Sequence, residues 1–515
     1  MWEWKDHAVA VEAADGSRRW RYGGDFGEPL HDGNFVIDGL ADAENRPHPG
    51  LLHWAESVAP VRGRWAGEDG AEGRLLIESR RQFTTTEDLV LAWRYEVDGR
   101  PAAEGTVALG PLAPAATHTV PTPEALAGAL RRPQDEASEC FLLLEIQLAA
   151  ATPWAAAGHV LSRRQHRVRP PRRPAAPAPT SQPVPILRDA EGFAVADEDG
   201  AGGFRFSPAG RLVRLGGLEL DEHGIDLWRA PTDNDEGHGA LDYEAADPAL
   251  TRGAGGGARG PSSADRWRAR GLDRLVTTTR GVRLEAGALV VERRLAPAGS
   301  ALAVDTRLIW TAQLLEEGPE AGTVLDCRIE VSPRGTWEGT WPRVGLHLVL
   351  PAGEDREAWE AEWFGLGPEE SWSDLRVATW TGRHRLPLTA LHHPRVRPQT
   401  TGHRGELREL AVRRPDGSAL VVRTLEGDPG FTLSPWSPHE LQVPHHDVLP
   451  RSESWHLHLD LAQHGVGTRS CGPDVRPEHQ LRPGRVGATF RFRAESTCDA
   501  ANGPSAAPRA ASHHP

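Results

Sequence analysis

Apolar residues recur along this chain in short runs with the alternation of strands, and helical periodicity is nearly absent. Arg74–Ser79, Leu89–Val97 and Phe141–Leu148 read as strands, and the second runs into an Asp98-Gly99 turn signal. Further strands are expected at Leu289–Leu295, Ala301–Ile309, Val324–Val331, Gly345–Leu350, Ala419–Thr424 and Trp455–Leu461, each bounded by Gly, Pro or Asp. One short helix is expected at Pro123–Arg131. Many short strands with turn punctuation predict a mainly β fold of packed β-sandwiches and argue against an α/β sheet.

Two low-complexity stretches divide the pattern. Arg163–Pro185 is rich in Pro and Arg and reads as a stiff, extended linker; Ser496–Pro515 lacks the apolar content to pack and reads as a disordered tail. The expected organisation is an N-terminal segment over 1–50, a β-domain over 51–165, a linker over 166–185, a larger β-domain over 186–495 and a tail over 496–515. The first segment is dense in Trp, Gly and Asp but too short to bury a core by itself. A Gly-rich loop at Ala254–Ala264 neither follows a strand nor opens a helix, so it carries no phosphate-binding weight.

Composition narrows the class. With 515 residues, 39% hydrophobic and 25% charged, the chain is of the soluble globular type. A formal charge of −14 argues against a nucleic-acid partner, which would require phosphate neutralisation. Four scattered cysteines without a CxxC pair fit neither a disulfide framework nor a cysteine zinc site, and a reducing cytoplasm is the expected compartment. The first residues have no basic and apolar leader pattern, and runs such as Phe141–Leu144 fall far below the roughly 20 residues of a membrane span.

Several clusters could carry chemistry. Trp2-Glu3-Trp4-Lys5-Asp6, Tyr22-Gly23-Gly24-Asp25-Phe26-Gly27 and Asn34-Phe35-Val36-Ile37-Asp38-Gly39-Leu40 combine aromatic faces with carboxylates. Rings stack on the apolar C–H faces of a sugar and carboxylates accept its hydroxyls, although the same aromatics also suit a core. Asp233-Asn234-Asp235-Glu236 lacks calcium-loop spacing and reads as an Asx-type turn beside a buried, paired Arg229. His445-His446-Asp447 with His456 and His458 resembles a histidine-rich metal site. His456 and His458 alternate on one strand face, yet a third ligand must come from a segment that spacing cannot identify. Adjacent His392 and His393 read as a surface loop or strand end. Glycoside hydrolysis needs two carboxylates, about 5–5.5 Å apart for retention or about 6.5–9.5 Å for inversion, and no spacing here nominates a pair.

The same residues, in order, resemble the long, five-domain β-galactosidases of glycoside hydrolase family 2. Trp2–Asp6 is similar to the family's Trp-x-Trp-x-Asp near the end of its catalytic (β/α)8 barrel, and Tyr22–Leu40 with Arg46-Pro47-His48-Pro49 resembles the stretch that closes that barrel. Thr152-Pro153-Trp154 and Ala157-Gly158-His159 resemble the end of the fourth domain. Leu227–Gly237, Glu362–Asp374 and Asp460–Asp474 are similar to signatures of the fifth. The implied architecture is a barrel remnant, an immunoglobulin-like β-sandwich and a large galactose-mutarotase-like β-sandwich.

The resemblance implies retaining hydrolysis of terminal β-D-galactosides of the lactose type. It places Trp2 against the galactose, and the Phe35 carbonyl with Asp38 at a Na+ near the sugar 6-hydroxyl. Cys471 takes a position where some members stack a tryptophan on the departing sugar. The family's catalytic glutamates and Mg2+ ligands have counterparts at no position of this sequence, so no catalytic residue is assigned and the isolated chain is expected to be inactive. The implied partners are a β-galactoside, a polypeptide carrying the remaining domains, and identical subunits of a complete oligomeric enzyme. A non-catalytic complementing subunit or a carbohydrate-binding β-sandwich is the alternative.

Overall fold

Strand-forming sequence becomes antiparallel sheet in two separate units of a computed structural model. The structure describes residues 3–13, 16–67, 73–132, 134, 138–170, 181–195, 203–237, 242–244, 260–316 and 320–495. Trp2 and the segment 496–515, expected as a disordered tail, lie outside the described residues.

One unit comprises residues 47–178 and 377–383. A three-stranded sheet (Val61–Ala66, Arg74–Ser79, Thr117–Val120) and a four-stranded sheet (ordered Arg100–Ala108, Leu89–Val97, Cys140–Leu148, Val160–Arg169) share one core. Along Leu89–Val97, the side chains of Leu89, Leu91, Trp93 and Tyr95 are buried at two-residue spacing. Cys140–Leu148 is paired on both edges and reads as an almost unbroken apolar run, as a central strand should. Asp98 and Gly99 both have positive φ, the backbone that a two-residue hairpin of matching twist needs. The helix Glu124–Arg131 buries Leu126, Ala129 and Leu130, one apolar stripe against the core.

The expected linker over 166–185 needs correction at both ends. Val160–Arg169 is sheet, because Val168 is buried in the core and the His166 ring accepts the Trp65 amide at 3.2 Å. Ser181–Val184 is a strand that pairs with Ala303–Leu315.

The other unit comprises residues 1–46, 179–376 and 384–515, so far as they are described. Its large sheet runs in the order Leu275–Glu285, Ala288–Pro297, Ala303–Leu315, Gly322–Arg334, Val486–Glu495, Ala419–Glu426, Glu409–Arg413, Glu360–Gly367. A four-stranded sheet runs Asp221–Asp226, Arg343–Pro351, Ser454–Gln463, Gly430–Ser434. Their apolar faces contribute to one core, in which Trp228, Trp267, Trp310, Trp341, Trp363 and Trp455 are fully buried. On the four-stranded sheet, Leu346, Leu348, Leu457 and Leu459 belong to this core. His347, His456, His458 and Asp460 alternate with them and so occupy the opposite face.

Among the described residues, none of the first 46 belongs to a hydrophobic core cluster. Lys5 and Ala41 form an isolated parallel bridge, in which Asp6 N–H donates to the Ala41 carbonyl at 2.9 Å and Ala41 N–H to the Trp4 carbonyl at 2.9 Å, and His7 N–H donates to the Val36 carbonyl at 3.0 Å. A Cβ on Gly39 would sit 2.3 Å from the Asp6 nitrogen, so this approach requires glycine. Trp4 and Phe26 are exposed, which corrects the core reading of these two aromatics.

Candidate functional site

A single helical turn, Asp233–Glu236, organises the surroundings of the residues that the sequence singled out. Thr232 caps it, accepting from the Asp235 amide while Asp235 accepts from the Thr232 amide. Asp233, Asn234 and Asp235 each have their own set of partners, while Glu236 pairs with Arg268 and shares Arg397 with Asp233.

Asp233 reaches back to the N-terminal segment. The Asn34 amide donates to its Oδ1, Arg397 binds the same oxygen at 2.7 Å, and Gln399 donates to Oδ2 at 2.8 Å. Asn34 immediately precedes Phe35. Asn234 reaches the loop that carries Cys471: its Oδ1 accepts the Ser470 amide at 3.1 Å and hydroxyl at 2.6 Å, and its Nδ2 donates to the Gly467 carbonyl at 2.9 Å. Cys471 itself is exposed. Asp374 braces the same loop by accepting the amides of Val466 and Gly467 at 3.0 and 2.8 Å. Removing the Asn234 amide leaves the Ser470 amide and hydroxyl without their acceptor and the Gly467 carbonyl without its side-chain donor. Asn234→Ala should therefore cost about 1–3 kcal/mol, read as a lower urea midpoint.

Asp235 and Arg229 form the buried foundation. The side chains are 2% and 0% exposed, and the guanidinium makes contacts of 2.8 and 3.1 Å to the two carboxylate oxygens. It also donates to the carbonyls of His464 and Gly465, at the start of the Cys471 loop. Burial pushes the Asp235 carboxyl up, and Arg229 opposes that shift.

The N-terminal segment is held by a second set of contacts. Arg19 and Arg21 converge on Asp447, Tyr22 donates its hydroxyl to the Pro444 carbonyl at 3.0 Å, and His445 Nε2 lies 2.7 Å from Asp25 Oδ1. The hydrogen bond from Arg21 holds the Asp447 carboxyl below its ordinary range. His445 and Asp447 are thus engaged here, away from His456 and His458, which divides the histidine-rich cluster expected from sequence. His392 is buried with its ring against Trp436, which corrects the surface reading of that residue.

Asp38 is exposed at the residue level, and its carboxyl is pushed up by partial desolvation and then by the nearby negative charge of Glu3. Phe35 is exposed, in the short turn Gly33–Val36 that precedes Asp38. Asp233, Asn234, Arg397, Gln399 and Asp374 were not assigned as site residues from sequence. The only signal was the capped acidic turn, because its partners are distant in the chain.

Asp474 closes the Cys471 loop and is pushed up to about 6 by burial, which the nearby Arg469 only partly offsets. A carboxyl whose folded pKa exceeds its unfolded value contributes stability below the unfolded pKa, and this is lost as pH rises through the folded value. Stability should therefore fall between about pH 4 and pH 6 on this account. Asp474→Asn should flatten that fall and raise the melting temperature at pH 8, since Arg469 keeps Asp242 at 3.1 Å.

The comparisons match this arrangement segment by segment. Residues 209–494 match the family model described as Beta galactosidase small chain, residues 75–169 match Beta-galactosidase, domain 4, and residues 1–62 match Glycosyl hydrolases family 2, TIM barrel domain. The chain belongs to the glycoside hydrolase family 2 β-galactosidases, and what it matches is their C-terminal portion. Among curated relatives, it is 36% identical over 504 residues to a β-galactosidase of Arthrobacter sp. (strain B7), covering 96% of this chain and 46% of that protein. It is 31% identical over 509 residues to a β-galactosidase of Aeromonas hydrophila, covering 94% and 44% respectively. It is 27% identical over 507 residues to β-galactosidase 2 of Enterobacter cloacae, covering 96% and 44%. The chain thus spans a little under half the length of these relatives. Its mainly β architecture, with a barrel-derived segment ahead of the β-sandwich domains, agrees with the family.

Proposed function

We propose that this chain is the C-terminal part of a β-galactosidase that hydrolyses terminal β-D-galactosides with retention, and that it supplies one wall of the sugar pocket. Trp2 would pack against the galactose, and the loop around Cys471 would border the departing sugar. The observation that carries the reading is the Asp233–Glu236 turn. Its first two side chains hold Asn34, beside Phe35, and Ser470, beside Cys471. One motif thereby positions both the barrel-derived segment and the β-sandwich loop.

The Phe35 carbonyl and Asp38 would hold a Na+ near the sugar 6-hydroxyl. Hard oxygen donors suit such a cation, and the raised Asp38 carboxyl beside Glu3 is an environment that a positive charge would relieve. When bound, the ion would orient the sugar; the chain's own contribution is the placement of Asp38 between the backbone contacts of His7 with Val36 and of Trp4 and Asp6 with Ala41. The nucleophilic and acid/base glutamates and the Mg2+ ligands would come from the family's other domains, in an oligomeric, cytoplasmic enzyme. Among the described residues, no helix is long and apolar enough to cross a membrane.

A polypeptide of these 515 residues alone should show no turnover of a chromogenic β-galactoside. Mixing it with a polypeptide carrying the family's preceding domains should generate turnover, with Asp38→Ala weakening its dependence on Na+. Turnover by the purified chain alone, or none from the mixture, would overturn the proposal.

A further inference from the structure

His456 and His458 share a strand face, and the structure brings further donors to them from neighbouring strands. His347 on Arg343–Pro351 pairs directly with His458. The next strand, Asp221–Asp226, ends in Asp226, which pairs with Gly345. A side chain at 345 would press on Asp460, its Cβ only 2.7 Å from Asp460 Oδ1. With glycine there, the Asp226 carboxylate reaches across the middle strand to His458, Oδ2 to Nε2 at 3.3 Å.

We propose that Asp226, His347 and His458 form a binding site for a divalent transition-metal ion of the zinc class. One ligand atom from each lies within 4.8 Å of the other two. A tetrahedral ion with bonds of roughly 2.0–2.2 Å sets its ligands about 3.3–3.5 Å apart. The Asp226–His458 pair already has that spacing, and ion binding requires the His347 ring to reorient and close a separation of at most 4.8 Å. Two imidazoles and one carboxylate favour zinc, nickel or copper over magnesium or calcium, which take oxygen-rich shells. Three protein ligands leave a fourth position for water or an exogenous group.

The surroundings suit such a site. The His347 and His458 rings stack in parallel with centroids 4.2 Å apart, so one ring must turn out of the stack for both to aim a nitrogen at the same ion. His347 Nε2 lies 3.0 Å from His456 Nδ1, and His456 Nε2 is 3.7 Å from Glu440, a chain of outer contacts that orients the ligand ring. The site borders the surface on one side: the Asp226 side chain is 22% exposed, and the His223 side chain, its ring 4.9 Å from that of His347, is 44% exposed. The inference uses none of the residues in the proposed sugar pocket, so it stands or falls separately from that reading.

The test is calorimetric titration of the chelator-treated full chain with zinc chloride, together with visible spectra after cobalt addition. One ion per chain should bind, cobalt should give tetrahedral-type bands, and zinc should raise the melting temperature. His347→Gln and Asp226→Asn, each checked for native circular dichroism, should weaken binding at least about tenfold and remove the thermal shift. A His513→Ala/His514→Ala variant should bind as the parent does. Absence of saturable binding, binding unchanged in both ligand variants, or binding abolished by the tail variant would overturn the site. Should the His347 variant fold poorly, the partly exposed Asp226 position decides alone.

Discussion

Arg229→Met should destabilise the chain by about 3–5 kcal/mol, the cost of leaving one member of a buried ion pair without its partner. Asp235 is 2% exposed and cannot regain its charge stabilisation from water. The loss should also depend on pH with a defined sign. Burial already raises the Asp235 carboxyl, and without Arg229 it rises further. Stability of the variant should therefore be best at acid pH and fall as pH climbs through that raised value, relative to the parent. Asp235→Asn should cost less, because Arg229 retains the His464 and Gly465 carbonyls. The same two contacts link the pair to the Cys471 loop. In a Cys498→Ser background, Arg229→Met should speed reaction of the Cys471 thiol with a disulfide reagent, while buried Cys140 and Cys327 stay slow. Urea denaturation at pH 5 and pH 8 with timed thiol labelling checks both parts.

Where one strand face meets a core and the other does not, the elements could be read from sequence. Arg74–Ser79 and Leu89–Val97 form at the expected boundaries, because alternating burial leaves one workable register. Leu275–Glu285 was missed, since its pattern is almost wholly exposed and it is an edge strand paired on one side only. The helix Pro49–Val58 was also missed, although Pro at its first position was a legible start signal. Ser262 and Asp265 form a capping box that could have announced the helix Ser263–Ala269.

The sites divide in the same way. Shared facing of His456 and His458 follows from strand periodicity alone. Their companions His347 and Asp226 follow from cross-strand register, which local sequence does not specify. The contact between Asn34 and Asp233 spans 199 positions and could come only from the resemblance or the structure. Family likeness supplied Trp2, Phe35, Asp38 and Cys471 as pocket residues. The side chains that hold two of their loops, Asp233 and Asn234, had looked like ordinary turn formers.

The second large effect is expected where the two sheets of the larger unit are joined by charge. Arg293, on Ala288–Pro297, contacts both oxygens of Glu222, on Asp221–Asp226, at 2.5 and 3.0 Å, and the side chains are 4% and 0% exposed. Arg293→Met should again cost about 3–5 kcal/mol, whereas replacing both residues with apolar side chains of similar volume should recover most of it. A double-mutant cycle of Arg293→Met and Glu222→Leu, read by urea unfolding, should therefore show coupling far outside the error of either single change. The location gives this pair a second consequence. Glu222 stands at a β-bulge that shifts the register before Gly224, whose φ of +89° few side chains would tolerate. That bulge sets the course of the strand as far as Asp226. Arg293→Met should accordingly loosen Asp226 and weaken zinc binding even where the fold survives, and the double variant should restore stability more fully than it restores the metal. Stability alone would be insensitive to strand course, so unequal recovery of the two readouts is the outcome that ties the buried pair to the placement of Asp226.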